Sequence, residues 1–415
     1  METEFGAAMR QALQLVRSRN VMEATLVIQR ALADRGGDAS PVDDSREPGL
    51  IPLPSPDVIE TRETVKPTPR QAHERAASAE AVGSRRQPSG RARRPLGEVV
   101  QQLRQVDLAG LGRGSAKVLG FRKAPTVAVP EGAAYLRRSF AFAAGARDYK
   151  VYVPSGAKAR RLPLIVMLHG CTQNPDDFAV GTGMNALAEG RGFIVAYPEQ
   201  PASANRTACW NWFDRAHQTR DEGEPAILAG LTRAVMAEFA VDPARVYVAG
   251  VSAGGAMAAI LSATYPDLYA AAGVHSGLPH GAAADLRSGF AAMRGSRTPP
   301  ALRARRANGR VRTIVFHGAN DRIVHPSNAE AILADAHVGL ADRAQDVILD
   351  GVAGGRAYTL AIVTDPDGVP HAECWVIDGL GHAWSGGCPE GSFTDAQGPD
   401  ASREMLRFFR ETQAQ

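Results

Sequence analysis

Short runs of apolar residues recur along the chain, and segments of helical periodicity separate them. The run at 164–168 contains no polar residue, as expected for a parallel strand buried on both faces. Similar runs follow at 193–197, 246–249, 271–274 and 313–316. The clearest helical segment places its apolar side chains on one face: Ile227, Leu228, Leu231, Val235 and Phe239. This alternation predicts an α/β fold with a mainly parallel sheet and helices on both faces.

The two ends of this pattern differ from its middle. Residues 147–154 alternate as a strand before the first buried run. Residues 356–364 and 372–378 flank an Asp-Pro-Asp-Gly turn, which predicts a hairpin at the edge of the sheet. A final helix is expected at 401–410, started by Asp400.

The N-terminal third has a different composition. Residues 5–34 carry apolar positions at helical spacing, and from 36 onwards Pro, Ser, Arg and Ala dominate. We therefore expect a helical segment at 1–35, a disordered linker at 36–133 and a folded α/β domain at 134–415. The linker holds a cluster of five arginines between 85 and 94, which is either a solvated stretch or a contact for nucleic acid or an anionic surface.

Composition and charge narrow the functional classes. The 415 residues are 44% hydrophobic and 22% charged, which is ordinary for a globular protein. A net charge of +3 is too small to indicate a polyanion partner, so no nucleic acid is expected. No stretch approaches the roughly 18 apolar residues of a membrane span. The N-terminus has acidic residues where a signal peptide is basic, which favours a cytoplasmic location.

The strongest chemical signal is Gly250-Val251-Ser252-Ala253-Gly254. It lies between the apolar strand at 245–249 and an Ala-rich helical segment at 255–261. Such a turn presents a serine at the start of a helix, where the dipole favours a developing oxyanion. The context predicts a nucleophile elbow with Ser252 as nucleophile and therefore an α/β-hydrolase fold.

A serine hydroxyl needs a base, and the base needs an orienting acid. In this fold the chain order is Ser, acid, His. Asp321 follows the strand at 313–316, although it could instead cap a turn or pair with Arg322; Asp350 and Asp378 are worse placed. His382 lies in a Gly-rich loop after the last strand, and the other histidine candidates are interpreted as structural.

The oxyanion should meet two backbone amides. One is that of Ala253, directly after the nucleophile. The second should come from the loop after the early strand, His169-Gly-Cys-Thr-Gln173, and Cys171 is the candidate. His169 is expected to shape this loop rather than to donate a proton.

In combination, these residues resemble the polyhydroxybutyrate (PHB) depolymerase esterases, which are close to the feruloyl and acetylxylan esterases. The motifs that carry the resemblance run from about Tyr149 to the C-terminus: His169-Gly-Cys-Thr-Gln173, Tyr197-Pro-Glu-Gln200, Cys209-Trp-Asn-Trp-Phe213, Gly223-Glu224, Gly250 to Gly255, His317-Gly with Asp321, and Gly381-His-Ala-Trp-Ser-Gly-Gly387. The resemblance implies a triad of Ser252, Asp321 and His382 and no cofactor. Members are often secreted, which opposes the cytoplasmic expectation and leaves the compartment open.

Aromatic residues and cysteines surround the motifs. Trp210 and Trp212 either pack in the core or form an aromatic lip of the acyl site, and Trp384 is a further candidate for substrate contact. The four cysteines are either reduced thiols or two disulfides. From their positions we hypothesise the pairs Cys171–Cys209 and Cys374–Cys388.

The sequence thus predicts two-step ester hydrolysis through an acyl-enzyme, with a polyester or small ester as the partner. The preferred substrate class is a short-chain hydroxyalkanoate ester. A feruloyl or acetylxylan esterase is the alternative within the same class. A non-catalytic binding protein on the same fold is the alternative of another class, and the presence of all three predicted triad residues disfavours it.

Overall fold

The computed structural model describes residues 62–63, 125–157, 161–296, 311–337, 345–364 and 368–411. The predicted N-terminal helical segment (1–35) lies outside these ranges, as does most of the predicted linker (36–133).

The described residues form an eleven-stranded sheet and a separate two-stranded ladder. The strands of the large sheet are β1 (Arg62–Glu63), β2 (Ala134–Phe142), β3 (Gly145–Val153), β4 (Leu162–Leu168), β5 (Ile194–Pro198), β6 (Val241–Val251), β7 (Ala271–His275), β8 (Arg312–Gly318), β9 (Gln345–Ala353), β10 (Arg356–Thr364) and β11 (Pro370–Ile377). Those of the ladder are β12 (Trp384–Ser385) and β13 (Thr394–Asp395), which pair in parallel.

The strand order is β1-β9-β10-β11-β8-β7-β6-β4-β5-β3-β2. The six central strands from β11 to β5 pair in parallel, and the strands outside them pair antiparallel. The predicted hairpin is present as β10 and β11, but it is not at the edge. Strand β9 continues the sheet beyond β10, and β11 joins the parallel centre through β8.

Helices cover both faces of the sheet, which confirms the predicted α/β-hydrolase architecture. They are α1 (Pro175–Thr182), α2 (Met184–Arg191), α3 (Gly223–Glu238), α4 (Ala253–Thr264), α5 (Leu286–Met293), α6 (Ser327–His337) and α7 (Ala401–Arg410), with a short 3₁₀ turn at Arg215–His217. None of the helices in the described ranges is long and apolar enough to cross a membrane.

Alternate residues of each central strand build the two halves of the core. In β4, Leu164 packs with residues of α3 and α4. Its neighbour Ile165 points to the opposite face and packs with residues of α1, α2 and α7. Burial of each such side chain contributes roughly 1.5–3 kcal/mol. Because both faces are buried, the strands read as unbroken apolar runs, and their carboxyl ends are held rigidly at one edge of the sheet.

Candidate active site

Ser252 occupies a strained turn between β6 and α4. Its backbone has φ +56° and ψ −119°, a conformation that residues with a side chain rarely adopt. The flanking glycines make the turn sterically possible: a Cβ at Gly250 would overlap the backbone of Gly254, and one at Gly254 would overlap the Leu168 carbonyl. The Ser252 amide donates a hydrogen bond of 2.9 Å to the carbonyl oxygen of His275 at the end of β7. The turn therefore presents the serine side chain at the N-terminus of α4.

Asp321 lies three residues beyond β8 and is buried. Its Oδ1 accepts hydrogen bonds from the amides of Ile323 and Val324, both at 2.9 Å, so the residue caps a turn as well. Its Oδ2 lies 2.7 Å from His382 Nδ1 and 3.5 Å from His317 Nε2. Burial raises the pKa of the carboxyl, but its contacts with His317 and His382 outweigh burial and hold the pKa well below its ordinary value. Asp321 is therefore ionised at neutral pH.

His382 lies in the loop between β11 and β12. The hydrogen bond to Asp321 engages its Nδ1, which leaves Nε2 as the nitrogen available to a reacting group. His317, also a member of the predicted motifs, is completely buried and bonds through Nε2 to the Val324 carbonyl at 2.8 Å. The structure therefore brings together Asp321 and His382 as the sequence predicts. His317 contacts the same Asp321 carboxylate oxygen.

Ser252 and His382 line one cavity of about 330 Å³. The predicted oxyanion residues Cys171 and Ala253 line it as well. Most of the remaining wall is apolar: Trp212, Phe213, Leu278, Leu286, Phe290, Met293, Ile323, Val324 and Phe393. An apolar cavity with a few polar groups at one point is typical of a site for a small organic ligand.

Only one of the three predicted substrate-contacting tryptophans lines this cavity. Trp212 does so. Trp210 is completely buried and donates its indole N–H to the His169 carbonyl at 3.0 Å. Trp384 is 1% exposed, donates to Ser402 Oγ at 3.1 Å and stacks on His275. The assignment of Trp210 and Trp384 to substrate contact is therefore wrong, because both rings are enclosed by the core.

Cys171, in the loop after β4, lines the cavity, and the amides of both its neighbours bond within the protein. The Gly170 amide donates to Gln173 Oε1 at 2.9 Å, and the Thr172 amide donates to the Thr207 carbonyl at 2.7 Å. A disulfide joins Cys171 to Cys209, with Cα atoms 4.2 Å apart, as hypothesised. Both segments that form this side of the cavity are thus held together covalently.

The second hypothesised disulfide, Cys374–Cys388, is wrong: both are free thiols. Cys374 is buried in β11 and packs with Val315 and with Ala329 of α6. Cys388 lies on the other side of the sheet, where its amide donates to the Gly181 carbonyl of α1 at 2.8 Å. Sequence spacing predicts the size of a loop, but it does not predict on which face of the sheet a cysteine points.

Glu224, for which the sequence predicts no role, organises one wall of the site. Its carboxylate is buried, accepts hydrogen bonds from the Asn211 backbone amide at 2.8 Å and from Asn211 Nδ2 at 2.7 Å, and pairs with Arg147 at 3.3 Å.

The Glu224 carboxylate also accepts a hydrogen bond from the side-chain amide of Gln200. The backbone amide of Gln200 in turn donates to His169 Nε2 at 3.1 Å. The Gly-Glu and Tyr-Pro-Glu-Gln motifs contain these residues. Through hydrogen bonds to Cys209 and Asn211, Gln200 and Glu224 hold the segment that carries Cys209 and Trp212.

His169 is confined by the same network. Its Nδ1 donates to the Gly170 carbonyl at 2.8 Å while its Nε2 accepts from Gln200. Burial lowers its pKa to about 4, so the ring is neutral. Within the described ranges, no group of three His, Cys, Asp or Glu side chains is arranged to hold a metal ion.

Comparison with known proteins confirms the resemblance. Residues 147–344 match the family described as Esterase PHB depolymerase. The chain is similar to poly(3-hydroxyalkanoate) depolymerase C of Paucimonas lemoignei, with 34% identity over 56% of this chain and 57% of that protein. It is similar to a probable acetylxylan esterase A of Aspergillus fumigatus, with 34% identity over 32% of this chain and 34% of that protein. It is also similar to feruloyl esterase B of Neurospora crassa, with 35% identity over 31% of this chain and 43% of that protein. The chain thus spans between a third and three fifths of these relatives.

Proposed function

We propose that this chain, which matches the Esterase PHB depolymerase family over residues 147–344, is a serine esterase that acts through Ser252, His382 and Asp321. The observation that carries the proposal is the hydrogen bond between His382 Nδ1 and the buried Asp321, at a cavity that Ser252 also lines. An ionised carboxylate on Nδ1 fixes the tautomer in which Nε2 is free to accept a proton.

The proposed reaction has two steps. Ser252 Oγ attacks the ester carbonyl carbon while His382 Nε2 takes its proton, and His382 then protonates the leaving alcohol as the acyl-enzyme forms. Water, deprotonated by His382, releases the acid and regenerates Ser252. Asp321 remains ionised throughout and stabilises the imidazolium. The depressed pKa of the Asp321 carboxyl supports this role.

The oxyanion is proposed to accept hydrogen bonds from the amides of Cys171 and Ala253. Both residues line the cavity beside Ser252, and the neighbouring amides of Gly170 and Thr172 are engaged within the protein. Each donor of this kind typically contributes about 3 kcal/mol to transition-state stabilisation.

For the substrate, we propose a short-chain hydroxyalkanoate ester, as polymer or oligomer. The apolar cavity favours an aliphatic acyl group over a charged one, and a relative is named as a poly(3-hydroxyalkanoate) depolymerase. The second candidate is a feruloyl ester, because the aromatic rings of Trp212, Phe213 and Phe290 in the wall would also suit a planar aryl group. An acetylxylan ester is the third, and the similarity to acetylxylan esterases supports it.

A substrate panel with the Ser252→Ala variant as blank tests both the proposed esterase activity and the proposed substrate class. The panel contains p-nitrophenyl butyrate, 3-hydroxybutyrate oligomers, methyl ferulate and acetylated xylan. Turnover of p-nitrophenyl butyrate above the blank is expected, and its absence in folded protein would favour a binding protein on this fold. A higher kcat/KM on methyl ferulate or acetylated xylan than on the oligomers would reject the hydroxyalkanoate assignment while leaving the esterase intact.

A further inference from the structure

His275, at the end of β7, contacts all three segments that carry the proposed triad. Its carbonyl oxygen accepts the Ser252 amide at 2.9 Å, which anchors the nucleophile turn. Its ring nitrogen Nε2 accepts the amide of Ser385 at 3.0 Å, three residues beyond His382. Its ring stacks on Phe316 of β8, the strand that leads to Asp321, with centroids 5.8 Å apart and planes within 13°.

The position in the sheet explains this convergence. Strand β7 lies between β6, which leads to Ser252, and β8, which leads to Asp321. Because β11 is the next strand after β8, the loop that carries His382 returns over the end of β7. In this loop Trp384 also stacks on the His275 ring, with centroids 5.0 Å apart. The imidazole is therefore buried and stacks with both Phe316 and Trp384.

The ring is held in one protonation state. His275 is completely buried, and burial lowers its pKa to about 3, so it is neutral at the pH of ordinary assays. Its Nδ1 lies 3.2 Å from Ser276 Oγ, and Nε2 accepts the Ser385 amide. The tautomer with the proton on Nδ1 satisfies both contacts. A neutral imidazole can accept a backbone N–H in this place, whereas a phenyl ring of similar shape cannot.

Other contacts also hold the loop that carries His382, so the conformation of this loop does not depend on His275 alone. The Trp384 amide donates to the Phe393 carbonyl at 2.7 Å, and Ser385 Oγ donates to the Pro399 carbonyl at 2.7 Å. These bonds fix the loop to the segment after it. The bond to His275 is the one that fixes the loop to the end of β7, where the nucleophile turn is anchored.

We propose that His275 is a positioning residue for the esterase reaction, which sets the distance between Ser252 and His382 by holding the nucleophile turn and the histidine loop at one point. The proposal rests on the proposed function. The residue does not reach the cavity and exchanges no proton with substrate. It acts through the placement of His382, because a displacement of about 1 Å in a catalytic group can lower a rate about 100-fold.

The test uses His275→Phe in the full chain. Phenylalanine at this position can still stack with Phe316 and with Trp384, but it removes the acceptor for the Ser385 amide. On p-nitrophenyl butyrate we expect kcat to fall about 10- to 100-fold with KM within about twofold of the wild type, because the cavity walls are unchanged. His275→Gln, whose side-chain oxygen can accept the same N–H, should recover part of kcat.

Two controls distinguish a displaced His382 from a loss of protein stability and from a wrong assignment of the triad. Phe409→Leu truncates a buried ring that stacks on Tyr247 with centroids 4.8 Å apart, and neither residue lines the cavity. This variant should lower the melting temperature without changing kcat per folded molecule. If His275→Phe keeps the wild-type kcat, or loses activity only in proportion to its unfolded fraction as Phe409→Leu does, the positioning role is rejected. If Ser252→Ala retains activity, the proposed function fails first, whatever His275 does.

Discussion

His382 Nδ1 lies 2.7 Å from Asp321 Oδ2, although the two residues are 61 positions apart in the chain. The first prediction follows from this bond. Asp321→Asn keeps the shape of the acid but favours the other imidazole tautomer, so kcat should fall by about 10³- to 10⁴-fold. The double variant Ser252→Ala/Asp321→Asn should be little worse than Ser252→Ala alone, because the residues are proposed to act as a unit.

Asp350→Asn is the matched control for this prediction. Asp350 lies on β9, is exposed and accepts a hydrogen bond from Thr359 at 2.7 Å. Its replacement should leave kcat/KM on p-nitrophenyl butyrate unchanged. A large loss in Asp350→Asn together with normal rates in Asp321→Asn would overturn the assignment of the acid.

The second prediction concerns stability at low pH. Because the pKa of His275 is lowered to about 3, the folded protein leaves the ring neutral where the unfolded chain, with a pKa of about 6.5, binds a proton. The unfolded state is therefore favoured progressively as the pH falls from about 6.5. Urea unfolding should show that His275→Phe loses about 2 kcal/mol less stability than the wild type between pH 6.5 and pH 4.5. Parallel pH dependence in the two proteins would contradict the neutral, buried imidazole.

The third prediction concerns the disulfide. Protein purified without reductant should show two free thiols after denaturation and four after reduction. Closure of a loop with a sequence separation of 38 is worth about 4 kcal/mol in the chain-entropy model, so Cys209→Ser should lower the free energy of unfolding by up to that amount. Cys388→Ser should remove one free thiol with little change in stability. Four free thiols before reduction would show that Cys171 and Cys209 are not bonded in solution.

The fourth prediction concerns Glu224. Glu224→Gln leaves Arg147 as a buried charge without its partner, which typically costs about 3–5 kcal/mol. The same change disturbs the Asn211 contacts that hold the cavity wall, so KM should rise along with the loss of stability. Glu222→Gln, two residues earlier and exposed, is the control and should change neither. An unaltered melting temperature in Glu224→Gln would mean that the buried pair does not stabilise the fold.

The fifth prediction separates the two neighbouring tryptophans. Trp212→Ala enlarges the cavity and should change the preference among acyl chain lengths, seen as a shift in relative kcat/KM on p-nitrophenyl acetate, butyrate and octanoate. Trp210→Phe removes the hydrogen bond to His169 and should act mainly on stability. The idea fails if Trp210→Phe shifts acyl preference and Trp212→Ala does not.

Local patterns were sufficient for the central strands and for the turn at Ser252. Residues 164–168 are apolar throughout because both faces of β4 are buried, and the glycines beside Ser252 are required by close backbone contacts that a motif records directly. Strand β9 was missed because its exposed residues alternate with half-buried ones, and Asp346 and Asp350 interrupt its apolar character.

Features set by long-range packing could not be predicted in the same way. The sequence places Trp384 two residues after His382, but its burial depends on stacking against His275, which lies 109 positions earlier. The free Cys374 and Cys388 show the same limit, since Cys374 packs against α6 whereas Cys388 bonds to α1 on the other face of the sheet. The role of Glu224 depends on partners at 147, 200 and 211, which no local window contains.

The strand order determines which part of the chain completes the proposed site. Strands β6, β7, β8 and β11 are consecutive in the sheet, yet β11 is the last of the large sheet to be synthesised. Of the residues proposed to act in the reaction, only His382 follows β11 in the chain, and Phe393 of the cavity wall follows it as well. A chain that ended before Pro370 would leave β8 as an exposed edge and would lack His382, the proposed base. If the proposed function holds, the gain of esterase activity during refolding should follow the docking of the C-terminal part of the chain, one of the long-range pairings that form slowly.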